Sequence, residues 1–359
     1  MNQGISLINK LEEQQNLSKS EWITLITHRT PQLDQYLFER AREVREHHYG
    51  KDVYVRGLIE LTNYCKQDCL YCGIRKNNKY VERYRLSDEE VLACCQEGYE
   101  LGFRTFVLQG GEDPFYTDER LTPLIKKIRH LYPECAITLS LGERSKESYQ
   151  ALYQAGGSRY LLRHETANAC HYSKLHDNKL TSESRRRCLW DLKEIGFEVG
   201  SGFMVGSPYQ TAEHLAEDML FLKELNPQMI GIGPFLPHHA TPFAKEEPGS
   251  LKLTLFMIGL LRLMIPKVLL PATTSLGTLS PQGRELGILA GANVVMPNLT
   301  PSMMRKNYLL YDDKIGTGDE ASDSYKVAKK AIESIGYQMV VSRGNSLNVE
   351  ACRGQEEGC

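Results

Sequence analysis

The chain has 359 residues, 41% of them hydrophobic and 25% charged, ample to bury a large core. Its net charge of −2 argues against a nucleic-acid partner, which needs a basic face for phosphate contacts. The start, MNQGISLINKLEEQQNL, shows no cationic segment followed by an apolar run, and the apolar stretch from Leu253 to Pro266 is short and carries Arg262. No export signal and no membrane span are therefore expected, and the expected location is the cytoplasm.

Residues 1–50 read as a helical extension. Ser18 is placed to cap apolar residues at helical spacing, Pro31 sits at a helix start and Gly50 at its stop. From there short apolar runs alternate with amphipathic stretches. Strands are expected at 53–61, 105–109, 136–141, 159–163, 198–205, 229–233, 267–272 and 293–297. Helices are expected at 87–101, 118–131, 145–155, 181–195, 211–224, 251–265 and 281–290. SDEE at 87 and TSES at 181 are start signals, and Gly102, Gly156 and Gly196 are stops.

Such alternation implies parallel strands, because a parallel return needs a crossover. Eight strands close an α/β barrel of the (β/α)8 TIM type, expected over 51–320. A doubly wound open sheet is the competing architecture. Residues 321–359 are expected to hold one helix and a short apolar run, then a disordered polar tail from Arg343.

The chain carries ten cysteines, best read as reduced thiols in a long chain with no export signal. Three of them cluster in CKQDCLYC, as Cys65, Cys69 and Cys72, directly after the first expected strand. Barrel chemistry sits on the loops after strand C-termini. Three thiolates there can hold three irons of a cubane cluster and leave the fourth open, since full ligation takes four cysteines. Zinc is the weaker reading, because no second Cys or His pair follows at zinc-site spacing. A chance cluster of buried thiols is weaker still, because Lys66, Gln67 and Asp68 make the loop polar.

This CxxxCxxC spacing, with Tyr71 before the last cysteine, resembles the radical S-adenosylmethionine (SAM) superfamily. LTNYCKQDCLYCGIRKNN, VLQGGEDP, TLSLGE, RYLLRHETAN, FMVGSP, MIGIGPFLPHHATP, LPATTSLGT and ANVVMPNLTP together resemble the [FeFe]-hydrogenase maturases of the HydE family. The resemblance runs from about Tyr49 to Tyr311. Biotin synthase and methylornithine synthase are similar and mark the alternative, a radical enzyme acting on a small organic substrate. RHETAN, PATTSLGT and MPNLTP fit the maturases better.

The resemblance implies an anaerobic enzyme with one four-iron, four-sulfur cluster on three cysteines. The open iron takes the amino and carboxylate groups of SAM, which is cleaved reductively to a 5′-deoxyadenosyl radical. It implies SAM contacts from Tyr71, Gln109, Gly110, Gly111, Glu112, Ser140, Glu165, Arg185, Met204, Met296 and Tyr308. It implies a substrate cavity lined by Arg163, Thr273, Thr274 and Tyr311, whose one cation and hydroxyl donors suit a small anionic guest. That guest would be an iron–cysteine complex with CO and cyanide ligands, made by the maturase HydG and passed on towards HydF. The reductant would be a ferredoxin or flavodoxin. Some members of the family carry three further cysteines after the last barrel strand for an accessory cluster. Here KIGTGDEASDSYK from Lys314 has none, so no second cluster is expected.

Read without the resemblance, several of these residues have plainer explanations. The glycines at 110 and 111 also suit an ordinary strand-to-helix turn, with freedom for positive φ and close approach to a ligand. Arg185, followed by Arg186 and Arg187, also suits a solvated helix face, and Met204 also suits the core. Gly200, Gly202 and Gly206 fit the dinucleotide-binding pattern poorly, because no acidic residue follows at the right distance. His238 and His239 read as structural loop residues.

Overall fold

The computed structural model describes residues 2–177, 179–318 and 320–348. The N-terminal extension folds as three helices, Asn2–Gln14, Lys19–Thr27 and Pro31–Tyr49. Ser18 and Glu21 form a reciprocal capping box, and the Thr30 side chain with Pro31 starts the third helix. Leu33, Leu37 and Ala41, one turn apart, bury one face of that helix against the helix Leu251–Met264. Close packing requires Gly259 there, since a Cβ would lie 2.9 Å from Leu37 Cγ. The helix Leu251–Met264 is buried at every position from Thr254 onward. Its all-round apolar character follows from being sandwiched between extension and barrel, and no described helix is long and apolar enough to cross a membrane.

Six strands form one parallel sheet in chain order: Gly57–Thr62, Thr105–Gly110, Ala136–Ser140, Arg159–Leu161, Glu198–Ser201 and Met229–Ile230. Single parallel bridges continue it from Met229 to Leu269, from Pro271 to Val294, and from Asn298 to Leu58. The ring therefore returns to its first strand, and the open-sheet architecture is excluded. The expected strand 267–272 is reduced to those bridges, and Pro271 within it has no N–H to donate. The expected strand 53–61 breaks at Arg56 into Asp52–Val55 and Gly57–Thr62. The expected strands 198–205 and 229–233 also break, and their outer pieces, Met204–Val205 and Gly233–Pro234, pair with each other at the rim.

The C-terminal region contains more structure than its composition suggests. After the helix Ala321–Ser334 the strand Gln338–Val340 pairs in parallel with Asp52–Val55. The polar tail expected to be disordered from Arg343 is ordered through residue 348, and residues 349–359 lie outside the described part. Arg343 O accepts from Thr105 Oγ1 at 2.9 Å and from Arg159 Nη2 at 3.1 Å, and Arg159 Nη2 also donates to Asn345 Oδ1 at 2.7 Å. A buried guanidinium at the lower end of the barrel needs acceptors, and this polar segment supplies them.

Truncating Leu37 opens a cavity between extension and barrel where the side chain is fully buried. Leu37→Ala is expected to destabilise the chain by about 2–5 kcal/mol in urea unfolding.

Candidate active site at the barrel mouth

The three clustered cysteines lie on a loop without regular structure between Thr62 and the helix Asp88–Glu100. Arg83 holds it together, donating to the backbone carbonyls of Asn63, Ile74 (2.8 Å), Arg75 (2.7 Å) and Asn78 (3.0 Å). Asp68 is gripped by Arg75 and accepts from the N–H of Asn77 at 3.1 Å. Lys66 N donates to Glu112 O at 2.9 Å, which fastens the loop to the next strand end. Gly111 is required by this contact: a Cβ there would lie 2.2 Å from Tyr64 O and 2.8 Å from Cys65 Cβ. Neither Gly110 nor Gly111 has a positive φ. The expected freedom at this turn is thus used for close approach of loop and strand.

Cys65, Cys69 and Cys72 open into one cavity of about 300 Å³. Gln109, Gly110, Gly111 and Glu112 line it from the second strand end, and Ser140 lines it from the third. Arg163 and Glu165 follow from the fourth, Met204 from the rim pair, and Arg185 from the helix Ser182–Ile195. Tyr71, Tyr308 and Tyr311 complete the wall. Thr273, Thr274 and Met296 do not line it. Thr273 Oγ1 lies 3.0 Å from the hydroxyl of Ser275, which does face the cavity, and Thr274 opens the short helix Thr274–Leu279. Met296 packs beside Tyr49, Met229, Leu269 and Val294.

Arg185 is buried on its helix, and its Nε lies 2.9 Å from Glu143 Oε1. The solvated-face reading does not hold. Glu112 Oε1 lies 3.8 Å from Arg185 and accepts from Glu143 N at 3.1 Å, while Glu112 Oε2 accepts from Gln67 Nε2 at 2.6 Å. Arg163 Nη2 lies 3.1 Å from Glu165 Oε2, and Arg163 Nε is buried with no partner within the protein. The sequence reading missed Glu143, Ser275, Arg83, Phe235, Leu236 and Leu310. Glu143 had a usable signal, because it lies just past the end of a strand at the rim where chemistry collects. The apolar members look like core in any linear reading.

Burial pushes all three thiols up, Cys72 to about 12, and the neighbouring sulfurs raise Cys69 further. A bound cationic centre reverses that preference by stabilising thiolate. Backbone N–H groups of Gln67 and Glu112 already face Cys65, and that of Ile74 faces Cys72, as suits cluster sulfurs. A single zinc holds sulfurs roughly 4 Å apart, at about 2.3 Å from each. Among the described residues, the one trio of ligand atoms within 4.8 Å of one another is His238, His239 and Asp312. The cysteine sulfurs do not form so tight a trio, and three thiols opening into one cavity fit an iron–sulfur centre.

The trio of His238, His239 and Asp312 links two loops. His238 Nδ1 accepts from Ala240 N at 3.1 Å, and its Nε2 edge packs against Gly73, where a Cβ would lie 2.6 Å away. His239 Nδ1 lies 2.8 Å from Asp312 Oδ1. Together they tie the loop after Gly233–Pro234 to the closing segment around Asp312.

Beside the cavity, His176 stacks on Tyr172 and lies 3.2 Å from Tyr71 Oη. Burial lowers His176 to about 3 and His171 to about 4, against an ordinary 6.5. Both are neutral in the folded chain above those values, whereas the unfolded chain takes up protons below 6.5. Thermal melts are therefore expected to show stability falling as pH drops from 6.5 towards 4, with a flatter profile in His176→Gln.

Comparison with known proteins agrees with this geometry. The model of the radical SAM superfamily matches residues 59–222. The HydE subunit of the [FeFe] hydrogenase maturase of Thermotoga maritima is 44% identical over 84% of this chain and 86% of its own length. The 3-methylornithine synthase of Methanosarcina acetivorans is 27% identical over 92% of both chains. The crystal structure of methylornithine synthase, 26% identical, superposes with a TM-score of 0.82 over 93% of this chain and 97% of that one. A three-cysteine loop at the rim of a closed parallel barrel, in a chain 44% identical along most of its length to one such maturase, identifies the chain as a radical SAM enzyme of the HydE family.

Proposed function

We propose that this enzyme acts in the maturation of [FeFe] hydrogenase, using a single four-iron, four-sulfur cluster held by Cys65, Cys69 and Cys72. The observation that carries this reading is the opening of all three thiols into the same cavity as Arg163, Glu165 and Arg185. When bound, the cluster supplies the electron that cleaves SAM to a 5′-deoxyadenosyl radical.

The protein's own residues bind, orient and exclude water. Arg185 offers a guanidinium for the carboxylate of SAM, a pairing that is charge-assisted and directional. Glu165 offers an acceptor for its amino or ribose groups, and Gly110, Gly111 and Ser140 offer backbone and hydroxyl contacts beside them. Met204 and Phe235, packed together under Leu70 and Tyr71, offer an apolar seat for the adenine. Arg163, with its free Nε, and Tyr311 line the same cavity and offer contacts to a small anionic guest; Ser275 lines it in place of the expected pair Thr273 and Thr274. An iron–cysteine complex with CO and cyanide ligands is such a guest. Leu161, Leu162, Leu236 and Leu310 surround it with poor hydrogen-bonding surface, which shields a radical from water. HydG as supplier, HydF as recipient and a ferredoxin or flavodoxin as reductant complete the proposed role. The greater identity to HydE than to methylornithine synthase favours this over a small organic substrate.

Anaerobic reconstitution is expected to load about four irons per chain, and dithionite with SAM should then release 5′-deoxyadenosine. Cys69→Ser should lose that turnover; undiminished cleavage in the variant would refute the cluster assignment. Truncation after residue 348 removes Cys352 and Cys359 and should leave the iron count unchanged if there is one cluster.

The biological role has a separate check. The gene is expected to restore hydrogenase activity to a host lacking this maturase, and not to restore growth on biotin precursors. The reverse pattern would move the enzyme to the biotin synthase type.

A further inference from the structure

Glu165, which lines the cavity, is one of the few non-glycine residues in the left-handed backbone region, at φ 63°. Such a conformation persists only where its surroundings over-determine it. Its own backbone is stitched to the neighbouring strand, with Glu165 N donating to Gly202 O at 3.1 Å and Met204 N donating to Glu165 O at 3.3 Å. The residues on both sides are held by one carboxylate. Asp218, on the helix Ala212–Leu225 behind the barrel wall, accepts from Ala167 N at 2.5 Å and lies 3.2 Å from His164 Nε2, both through Oδ1. His164 Nδ1 is in turn 2.9 Å from Ser201 Oγ.

Ser201, His164 and Asp218 superficially form a hydrolytic triad. Their exposures of 0%, 1% and 0% leave no path for a substrate to the hydroxyl, so a nucleophilic role is excluded. Phe203 and Phe221 pack against the imidazole at 5.9 and 4.9 Å. Burial raises the Asp218 carboxyl well above the usual range and lowers His164 to about 3. In both cases burial disfavours the charged form.

We propose that Asp218 is a positioning residue for SAM binding: it clamps residues 164 and 167 so that the intervening left-handed turn presents the Glu165 carboxylate to the cavity. This rests on the reading of Glu165 as a SAM contact. Neighbouring Glu217 provides a control. It accepts from Asn168 Nδ2 at 2.8 Å and pairs with Lys19, without touching residues 164 or 167.

Asp218→Leu, close in size and free of buried charge, removes both contacts while filling the site, and Asp218→Asn keeps the acceptor for Ala167 N and can still meet His164. Hydrogen exchange of the peptide over 163–168 is measured in the reconstituted enzyme without SAM, and SAM affinity by equilibrium binding. Asp218→Leu is expected to exchange faster there and to bind SAM about tenfold more weakly, as for loss of one charge-assisted hydrogen bond. Asp218→Asn and Glu217→Gln should stay near the parent. Unchanged exchange and affinity in Asp218→Leu would overturn the proposal. So would faster exchange with parental affinity, provided that Glu165→Gln weakens binding. If Asp218→Leu does not fold, faster exchange and weaker binding in His164→Phe support the clamp, and parental values overturn it. If Glu165→Gln binds SAM like the parent, the role of Glu165 fails, and the clamp then stands or falls on the exchange result.

Discussion

Parallel strand pairing is the constraint from which the rest of this structure follows. Each crossover returns the chain to the same end of the sheet, so every strand finishes at one rim. The thiol loop, the glycines at 110 and 111, Ser140, Arg163, Glu165 and Met204 come from five different strand ends. They meet only because those ends share one rim. The ring closes through single bridges at Leu269 and Pro271 and through the short parallel pairing of Tyr54 and Val55 with Val294 and Val295, which the Asn298–Leu58 bridge extends. It is completed by packing of the outer helices, of which Leu251–Met264 is the most deeply buried.

Buried guanidinium groups hold the irregular parts of the chain. Arg83 gathers the three-cysteine loop through four carbonyls. Arg262 does the same below the barrel, donating to the carbonyls of Gly291, Pro266 and Val268 at 2.7–2.9 Å. Arg45 binds those of Gly50 and Asp52 at 2.5 and 2.6 Å, at the junction between extension and barrel. A loop that leaves carbonyls without strand partners needs donors from elsewhere, and one arginine supplies several in fixed geometry. Burial lowers Arg262 to about 9, so it stays charged at neutral pH.

The cavity combines two kinds of surface. Around Arg185 it is densely ionic, with Glu112, Glu143 and Gln67 in one hydrogen-bonded set. The same cavity is also lined by Leu161, Leu162, Leu236 and Leu310.

The sequence by itself determined the alternation of the longer elements, the boundaries of the expected barrel helices to within about two residues and the thiol trio with its place after a strand, but not the short helices Ala169–Leu175, Thr274–Leu279 and Ser302–Arg305. These signals are local, because hydrophobic period, capping residues and cysteine spacing all act over a few residues. The cavity residues at strand ends were legible too, though Arg163, Glu165 and Arg185 drew their roles from family resemblance. Tertiary structure alone decided which segments close the ring, that the seventh strand is reduced to bridges, and that residues 343–348 cap the lower end. It also decided that Ser275 faces the cavity while Thr273, Thr274 and Met296 do not, and that Glu143 and Asp218 stand behind the residues facing it. Those outcomes depend on contacts between positions tens to hundreds of residues apart, where partner geometry rather than local preference sets the free energy.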